Sequence, residues 1–138
     1  MQVGIKFSTA IHVVLAACFF KDEKVTSEFI AGSINTNPVI VRRLLCTLKA
    51  AGLVNVVAGV GGVSLAKEPK DITLLQIFNA VNDKEKLFKI HSDSPKACPL
   101  GSKIEGLLTG HFLKAQEALE DSLRSITLQD LLDELINL

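Results

Sequence analysis

Apolar residues recur every three or four positions along most of the chain, which is the period of an α-helix. The pattern predicts six helices: Phe7–Phe20, Ser27–Ser33, Pro38–Ala51, a helix that ends at Val81, Leu100–Ser125 and Leu128–Ile136. Residues that favour helix starts precede several of them, because a Ser, Thr or Asn side chain can accept hydrogen bonds from the open backbone amides. These caps are Thr26, Asn37, Thr73 with Gln76, and Thr127 with Asp130.

The third predicted helix is amphipathic. Its apolar stripe consists of Val41, Leu44, Leu45 and Leu48. The opposite side carries Val39, Arg42, Arg43, Cys46 and Ala50. This helix should therefore bury the first set and expose the second.

Two short segments after Gly52 have the character of strands, Leu53–Val57 and Val63–Ala66, and a glycine-rich turn, Gly59 to Gly62, joins them. A helix, a turn, a second helix and a β-hairpin together form a winged helix-turn-helix. The predicted fold class is mainly α with a small β-wing, followed by a long C-terminal dimerisation helix. We divide the chain into a DNA-binding domain (1–82), a loop (83–99), and a dimerisation helix with a closing helix (100–138).

The long helix after residue 100 points to self-association. About 25 residues at 1.5 Å each extend ~37 Å, which is more than a domain this small can cover by itself. We expect its apolar side to pack on a second copy of the chain. The residues on that side are Ile104, Leu108, Phe112, Ala115, Leu119 and Leu123.

In a helix-turn-helix the second helix enters the major groove of DNA, and the helix before it crosses the phosphate backbone. Arg42 and Arg43 could pair with guanine or phosphate, although by themselves they also fit an ordinary solvated face. The wing glycines could approach the backbone or minor groove closely, although they also fit a plain tight turn. The candidate DNA contacts are Thr26, Ser27, Thr36, Asn37, Val39, Arg42, Arg43, Gly59, Gly61, Gly62 and Lys67.

Composition supports a compact globular protein, since 48% of the residues are hydrophobic. The net charge is zero, but residues 1–70 hold eight Lys and Arg against four Asp and Glu, a balance of +4. Residues 71–138 hold seven against eleven, a balance of −4. The two halves should therefore face different partners. With neither a membrane span nor a signal peptide evident in the pattern, we expect a cytoplasmic protein.

Three cysteines lie far apart, at Cys18, Cys46 and Cys98. An odd count without a secretion signal argues against a disulfide framework, and no short Cys or His spacing indicates a zinc site. Cys98 in the loop and Cys46 on the third helix are possible redox sensors, with inert structural positions as the alternative. No motif of an enzyme active site is present, so we do not expect catalysis.

The segment VTSEFIAGSINTNPVIVRRLLCTLKAAGLVNVVAGVGGVSLAKEPKDITLLQIFNAV resembles the Rrf2 family of winged-helix regulators. That family includes the iron-sulfur cluster assembly regulator, the nitric-oxide-sensing repressor and the cysteine-metabolism repressor. The long helix and the closing TLQDLL motif also fit, so the resemblance covers nearly the whole chain. It implies a bacterial homodimer that binds a partly palindromic operator on double-stranded DNA, usually as a repressor.

Two positions depart from the family. Members that hold an iron-sulfur cluster use three cysteines between the fourth helix and the dimerisation helix, whereas this chain has only Cys98 there, so we expect no cofactor. Many members have arginine just before the wing glycines, where this chain has Ala58. More of the affinity would then fall to the recognition helix and Lys67. The alternative function is a dimeric protein-interaction module that no longer binds DNA.

Overall fold

A computed structural model describes residues 4–20, 23–57, 62–82 and 86–138. Six helices and one two-stranded sheet make up this part of the chain, which confirms the predicted fold class. In chain order they are α1 (Ile5–Phe19), α2 (Ser27–Ile34), α3 (Pro38–Ala50), β1 (Val54–Val56), β2 (Val63–Leu65), α4 (Leu74–Val81), α5 (Ile104–Arg124) and α6 (Leu128–Ile136). A single 3₁₀ turn, Pro69–Asp71, lies between β2 and α4.

The core lies where α1 to α4 meet the sheet and α6. Side chains with almost no exposure come from α2, α3, the residue before β1, α4 and α6, and include Ile30, Leu48, Leu53, Ile77 and Leu128. The predicted apolar stripe of α3 is buried as expected. Burial of a large aliphatic side chain contributes about 1.5–3 kcal/mol, so this cluster holds the helices in fixed positions around α3.

The helix-turn-helix is set by local hydrogen bonds. The Thr26 hydroxyl accepts from the Phe29 amide at the start of α2, and the Asn37 side chain accepts from the Val39 amide at the start of α3. Between them Asn35 takes a left-handed conformation, with φ of 65°, and its amide donates to the Ala31 carbonyl. Asparagine tolerates that conformation better than most residues, which permits a turn of only three residues.

The wing is shorter than predicted, because only three residue pairs complete the antiparallel ladder. The wing is hydrogen-bonded to the segment just before α2, because the Val63 amide donates to the Val25 carbonyl at 2.7 Å. Gly62 lies so close to this segment that an added Cβ would meet the Val25 oxygen at 3.2 Å. A larger residue there would require the Val25 carbonyl to shift by a few tenths of an ångström, so glycine suits this close approach of the wing to α2.

Helices α4 and α6 begin side by side. Both starts are capping boxes, at Thr73 with Gln76 and at Thr127 with Asp130, as the sequence predicted. Thr73 and Thr127 also pair as an isolated antiparallel bridge, with the Leu74 amide bound to the Ile126 carbonyl at 2.9 Å. Leu128 joins the central core, so α6 packs with the N-terminal helices, whereas the sequence-based division grouped it with α5.

Helix α5 differs from the other helices in its exposure to solvent, and it also begins later than the sequence predicted. It begins at Ile104, later than the predicted Leu100, because residues after Pro95 and Pro99 form hydrogen-bonded turns instead of an α-helix. It is 21 residues long, all of them described, and none is buried. No helix in the described ranges is both long and apolar enough to cross a membrane.

Candidate nucleic-acid interface

The outer side of α3 is exposed, as the amphipathic pattern predicted. Val39, Arg42, Arg43 and Cys46 all lie on it, and the side chain of Val39 is 44% exposed. Proline at the first position and the Asn37 cap fix where the helix begins. Consecutive residues on a helix point about 100° apart, so the two arginines face different sides of this surface.

Arg42 faces a groove between α3, the start of α2 and the wing, which we call the wing groove. Its volume is about 490 Å³. It is lined by Thr26, Ser27, Glu28, Arg42, Leu45, Cys46, Lys49, Val56, Val57, Gly62 and Val63. Four predicted DNA-contacting residues, Thr26, Ser27, Arg42 and Gly62, thus share one surface although they are as many as 36 positions apart in sequence.

Within the wing groove, Arg42 forms an ion pair with Glu28 on the first turn of α2. The Ser27 hydroxyl also donates to the Glu28 carboxylate, at 3.2 Å. The backbone amide of Glu28 itself, then Arg42 and Ser27, hold the pKa of that carboxyl below its ordinary value of 4.5. Sequence reasoning missed Glu28, because the partners are 14 residues apart and no local pattern links them.

Arg43 faces a second groove, between α3 and the start of α1, which we call the N-terminal groove. Its volume is about 430 Å³. It is lined by Ile5, Lys6, Thr9, Thr36, Ile40, Arg43, Leu44 and Thr47. None of these lining residues is acidic. The predicted contacts Thr36 and Arg43 therefore lie together, with the cationic Lys6 beside them.

The remaining candidates are spread out. Asn37 is exposed at the helix start, and its side-chain oxygen is used in capping. Lys67 lines a separate pocket together with Gln76 and Asn79 of α4, and it lines neither the wing groove nor the N-terminal groove. Gly59 and Gly61 lie outside the described residues, as does Ala58. Their roles in binding DNA stay predictions.

The three cysteines occupy unlike surroundings. Cys18 is buried in α1, whereas Cys46 is exposed in the wing groove and Cys98 is exposed in the turns before α5. The Gly101 amide donates to the Cys98 sulfur at 3.2 Å, and together with the Leu100 amide it lowers the pKa of that thiol. A lower pKa favours the reactive thiolate, but redox sensing by either exposed cysteine stays a prediction.

The cysteines do not fit a three-cysteine iron-sulfur site. Cys98 is the only one in the segment between α4 and α5, while Cys18 and Cys46 belong to α1 and α3. Among the described residues, no group of three or more His, Cys, Asp or Glu side chains is placed to hold a metal ion. The expectation that the chain works without a cofactor stays a prediction, which iron analysis of the purified protein would test.

A helix-turn-helix with an attached wing, whose second helix exposes two arginines, defines the class of winged-helix transcription regulators. The family model Rrf2, described as an iron-dependent transcriptional regulator, matches residues 3–134. The chain therefore belongs to the Rrf2 family, and the resemblance stated from the sequence is confirmed. It is a transcription regulator and not an enzyme.

Two relatives extend that finding. The chain is 41% identical over 134 residues to YwnA of Bacillus subtilis (strain 168), whose name describes an HTH-type transcriptional regulator, and the match covers 97% of this chain and 99% of YwnA. It is also similar to a crystal structure described as that of a DNA binding protein, with a TM-score of 0.76, 41% identity, and coverage of 93% of this chain and 99% of the other.

A third similarity is to another solved structure. The fold is similar to that of T. potens IscR, with a TM-score of 0.72 and 26% identity, covering 98% of this chain and 88% of that one. The arrangement of wing, recognition helix and long helix is therefore shared with a solved structure over nearly the whole chain.

Proposed function

We propose that this Rrf2 regulator is a cytoplasmic repressor that binds a partly palindromic operator as a homodimer. The observation that carries the proposal is the exposed face of α3, which has one arginine over each of two grooves. An arginine guanidinium pairs with guanine or with phosphate through several N–H donors in a fixed plane. A helix with this face outward suits insertion into the major groove of DNA.

Exposed leucines on α5 support the dimer. Leu107 is 58% exposed, and Ala115 and Ala118 are also exposed along the same side of the helix. In the predicted interface stripe, by contrast, Leu123 packs against the core of its own chain and Phe112 stacks on Phe88 at 5.3 Å. We therefore centre the proposed interface on Leu107. This face includes Ile104 and Ala115 of the predicted stripe, but its centre is rotated about the helix axis away from the rest of that stripe.

A two-fold dimer would present two recognition helices to successive turns of the major groove, ~34 Å apart. This geometry explains why a regulator of this size would read an operator with two related halves. Repression would follow if the operator overlaps a promoter, and a reporter gene behind that promoter should then become more active when the regulator gene is deleted.

DNA binding is tested by fluorescence anisotropy of labelled duplex titrated with the protein at 50 mM and 200 mM salt. The label is needed because the chain has neither Trp nor Tyr. If six or more phosphates are contacted, affinity should fall at least about 10³-fold between the two conditions. A folded protein that binds no duplex at either salt concentration would contradict the proposal and favour the protein-interaction module.

The dimer is tested with Leu107→Glu and Leu113→Glu, which make the same change on α5 at leucines of equal exposure, 58% and 57%. Six residues further on, Leu113 points about 120° away from Leu107. Light scattering should show a monomer for Leu107→Glu and a dimer for Leu113→Glu, with unchanged helical circular dichroism in both. A dimeric Leu107→Glu, or a monomeric Leu113→Glu, would contradict the proposed face.

A further inference from the structure

Glu28 places a negative charge inside a surface that is otherwise suited to bind phosphate. Its carboxylate accepts from the Arg42 guanidinium and from the Ser27 hydroxyl, and its own backbone amide helps to lower the pKa of this carboxyl. Guanidinium, hydroxyl and backbone N–H at a helix start are also the groups that commonly hold a DNA phosphate. The carboxylate therefore uses the same donors that a phosphate in the wing groove would need.

This ion pair does little for the stability of the fold. The side chains of Arg42 and Glu28 are 54% and 62% exposed, and ion pairs this open to water contribute little to folding. Its effect is on Arg42, a long side chain that would otherwise move freely over the surface of α3. Glu28 engages one terminal nitrogen, Nη2, and leaves the other N–H donors of the guanidinium available.

We propose that Glu28 is a specificity-determining residue that holds Arg42 away from phosphates and directs its remaining donors towards a base. On arbitrary DNA, a phosphate near Arg42 has to displace the carboxylate or lie beside its negative charge. On the operator, a matching base accepts from Arg42 while the ion pair is kept. Glu28 thus weakens binding to the wrong sequence more than binding to the right one. This inference rests on the proposed DNA-binding function.

The test compares Glu28→Gln with the wild-type protein on two labelled duplexes. One duplex is selected from a random pool by the wild-type protein, and the other has the same composition in scrambled order. We expect affinity for the scrambled duplex to rise about fivefold for a dimer and its salt slope to steepen by about 0.9 per protomer, with little change on the selected duplex. The matched control is Glu134→Gln on α6, which removes the same charge at an exposed site outside both grooves.

The role of Arg42 is isolated by making Glu28→Gln in an Arg42→Gln background. The gain on the scrambled duplex should then disappear, because no guanidinium is left to release.

If the ratio of selected to scrambled affinity is unchanged in Glu28→Gln, or falls equally in Glu134→Gln, the inference is wrong while the proposed function stands. If the wild-type protein selects no duplex from the pool and binds no scrambled one, both the inference and the proposed function are wrong. Equal melting temperatures of the wild-type protein and its variants would confirm that altered folding does not cause the differences in affinity.

Discussion

The two grooves beside the recognition helix differ in charge although consecutive arginines supply both. In the wing groove Arg42 is paired with Glu28, whereas in the N-terminal groove Arg43 lies beside Lys6 and Thr36, and none of the described residues that line this groove is acidic. One guanidinium is already engaged and the other is open to an anion. If the proposed function holds, we expect these adjacent arginines to have different roles, Arg43 contributing affinity for DNA and Arg42 contributing sequence discrimination.

The largest expected effect is that of Arg43→Ala. No carboxylate from the described residues pairs with this arginine, so its whole charge is available to DNA. Loss of one contact in each protomer should reduce affinity roughly 30-fold or more on any duplex and make the salt slope shallower by about 0.9 per protomer. Anisotropy titrations measure both quantities, and light scattering should still show a dimer. Dissociation of the dimer instead would mean that Arg43 faces a partner chain.

A smaller effect is expected from a bulky adduct on Cys46, which lines the wing groove and not the N-terminal groove. Alkylation should occupy space that DNA needs and weaken binding by about tenfold, comparable to the loss of a single good base contact in the whole complex. Cys98 has to be replaced by serine beforehand, because the lowered pKa of its thiol should make it react first. Unaltered DNA binding after complete labelling of Cys46, verified by mass spectrometry, would place DNA away from the wing groove.

Arg42→Ala should cost less affinity than Arg43→Ala, about threefold on a scrambled duplex, because Glu28 already competes for this guanidinium. Its larger consequence should be on sequence preference, measured as the affinity ratio of selected to scrambled duplex. An Arg42→Ala variant that loses as much affinity on scrambled DNA as Arg43→Ala would remove the distinction between the two grooves.

The smallest expected effect is that of pH. Since the pKa of Glu28 lies below its ordinary value of 4.5, the carboxylate is charged and paired above that value, and the pairing is lost only as the pH falls through the lowered pKa. The affinity ratio of selected to scrambled duplex should therefore be constant between pH 6 and 8. A ratio that changes within that range would assign the discrimination to another titrating group.

Local features of the fold could be predicted from the sequence because their causes are local. The caps at Thr26, Asn37, Thr73 and Thr127 all accept the expected amide hydrogen bonds, and Gly52 takes the left-handed conformation that ends α3. Helix periodicity and capping depend on residues within four positions of each other. The buried stripe of α3 follows from the same short-range pattern.

Features that join distant segments could not be predicted in this way. Nothing around Thr73 or Thr127 shows that the two capping boxes meet, and nothing around Glu28 shows that Arg42 is its partner. Apolar spacing along α5 likewise does not reveal that Leu123 packs against the core of its own chain. Such contacts depend on the packing of whole elements, which periodicity does not encode.

The bridge between Thr73 and Thr127 has a mechanical consequence. It holds the C-terminal end of α5 against the body that carries α3, so we expect any tilt of α5 to pivot near Ser125. A lever of 21 residues is about 31 Å long, and tilting it by about 10° moves the far end by about 5 Å. In a dimer joined through α5, a small rotation at this pivot would change the span between the two recognition helices, and with it the operator spacing that the protein accepts.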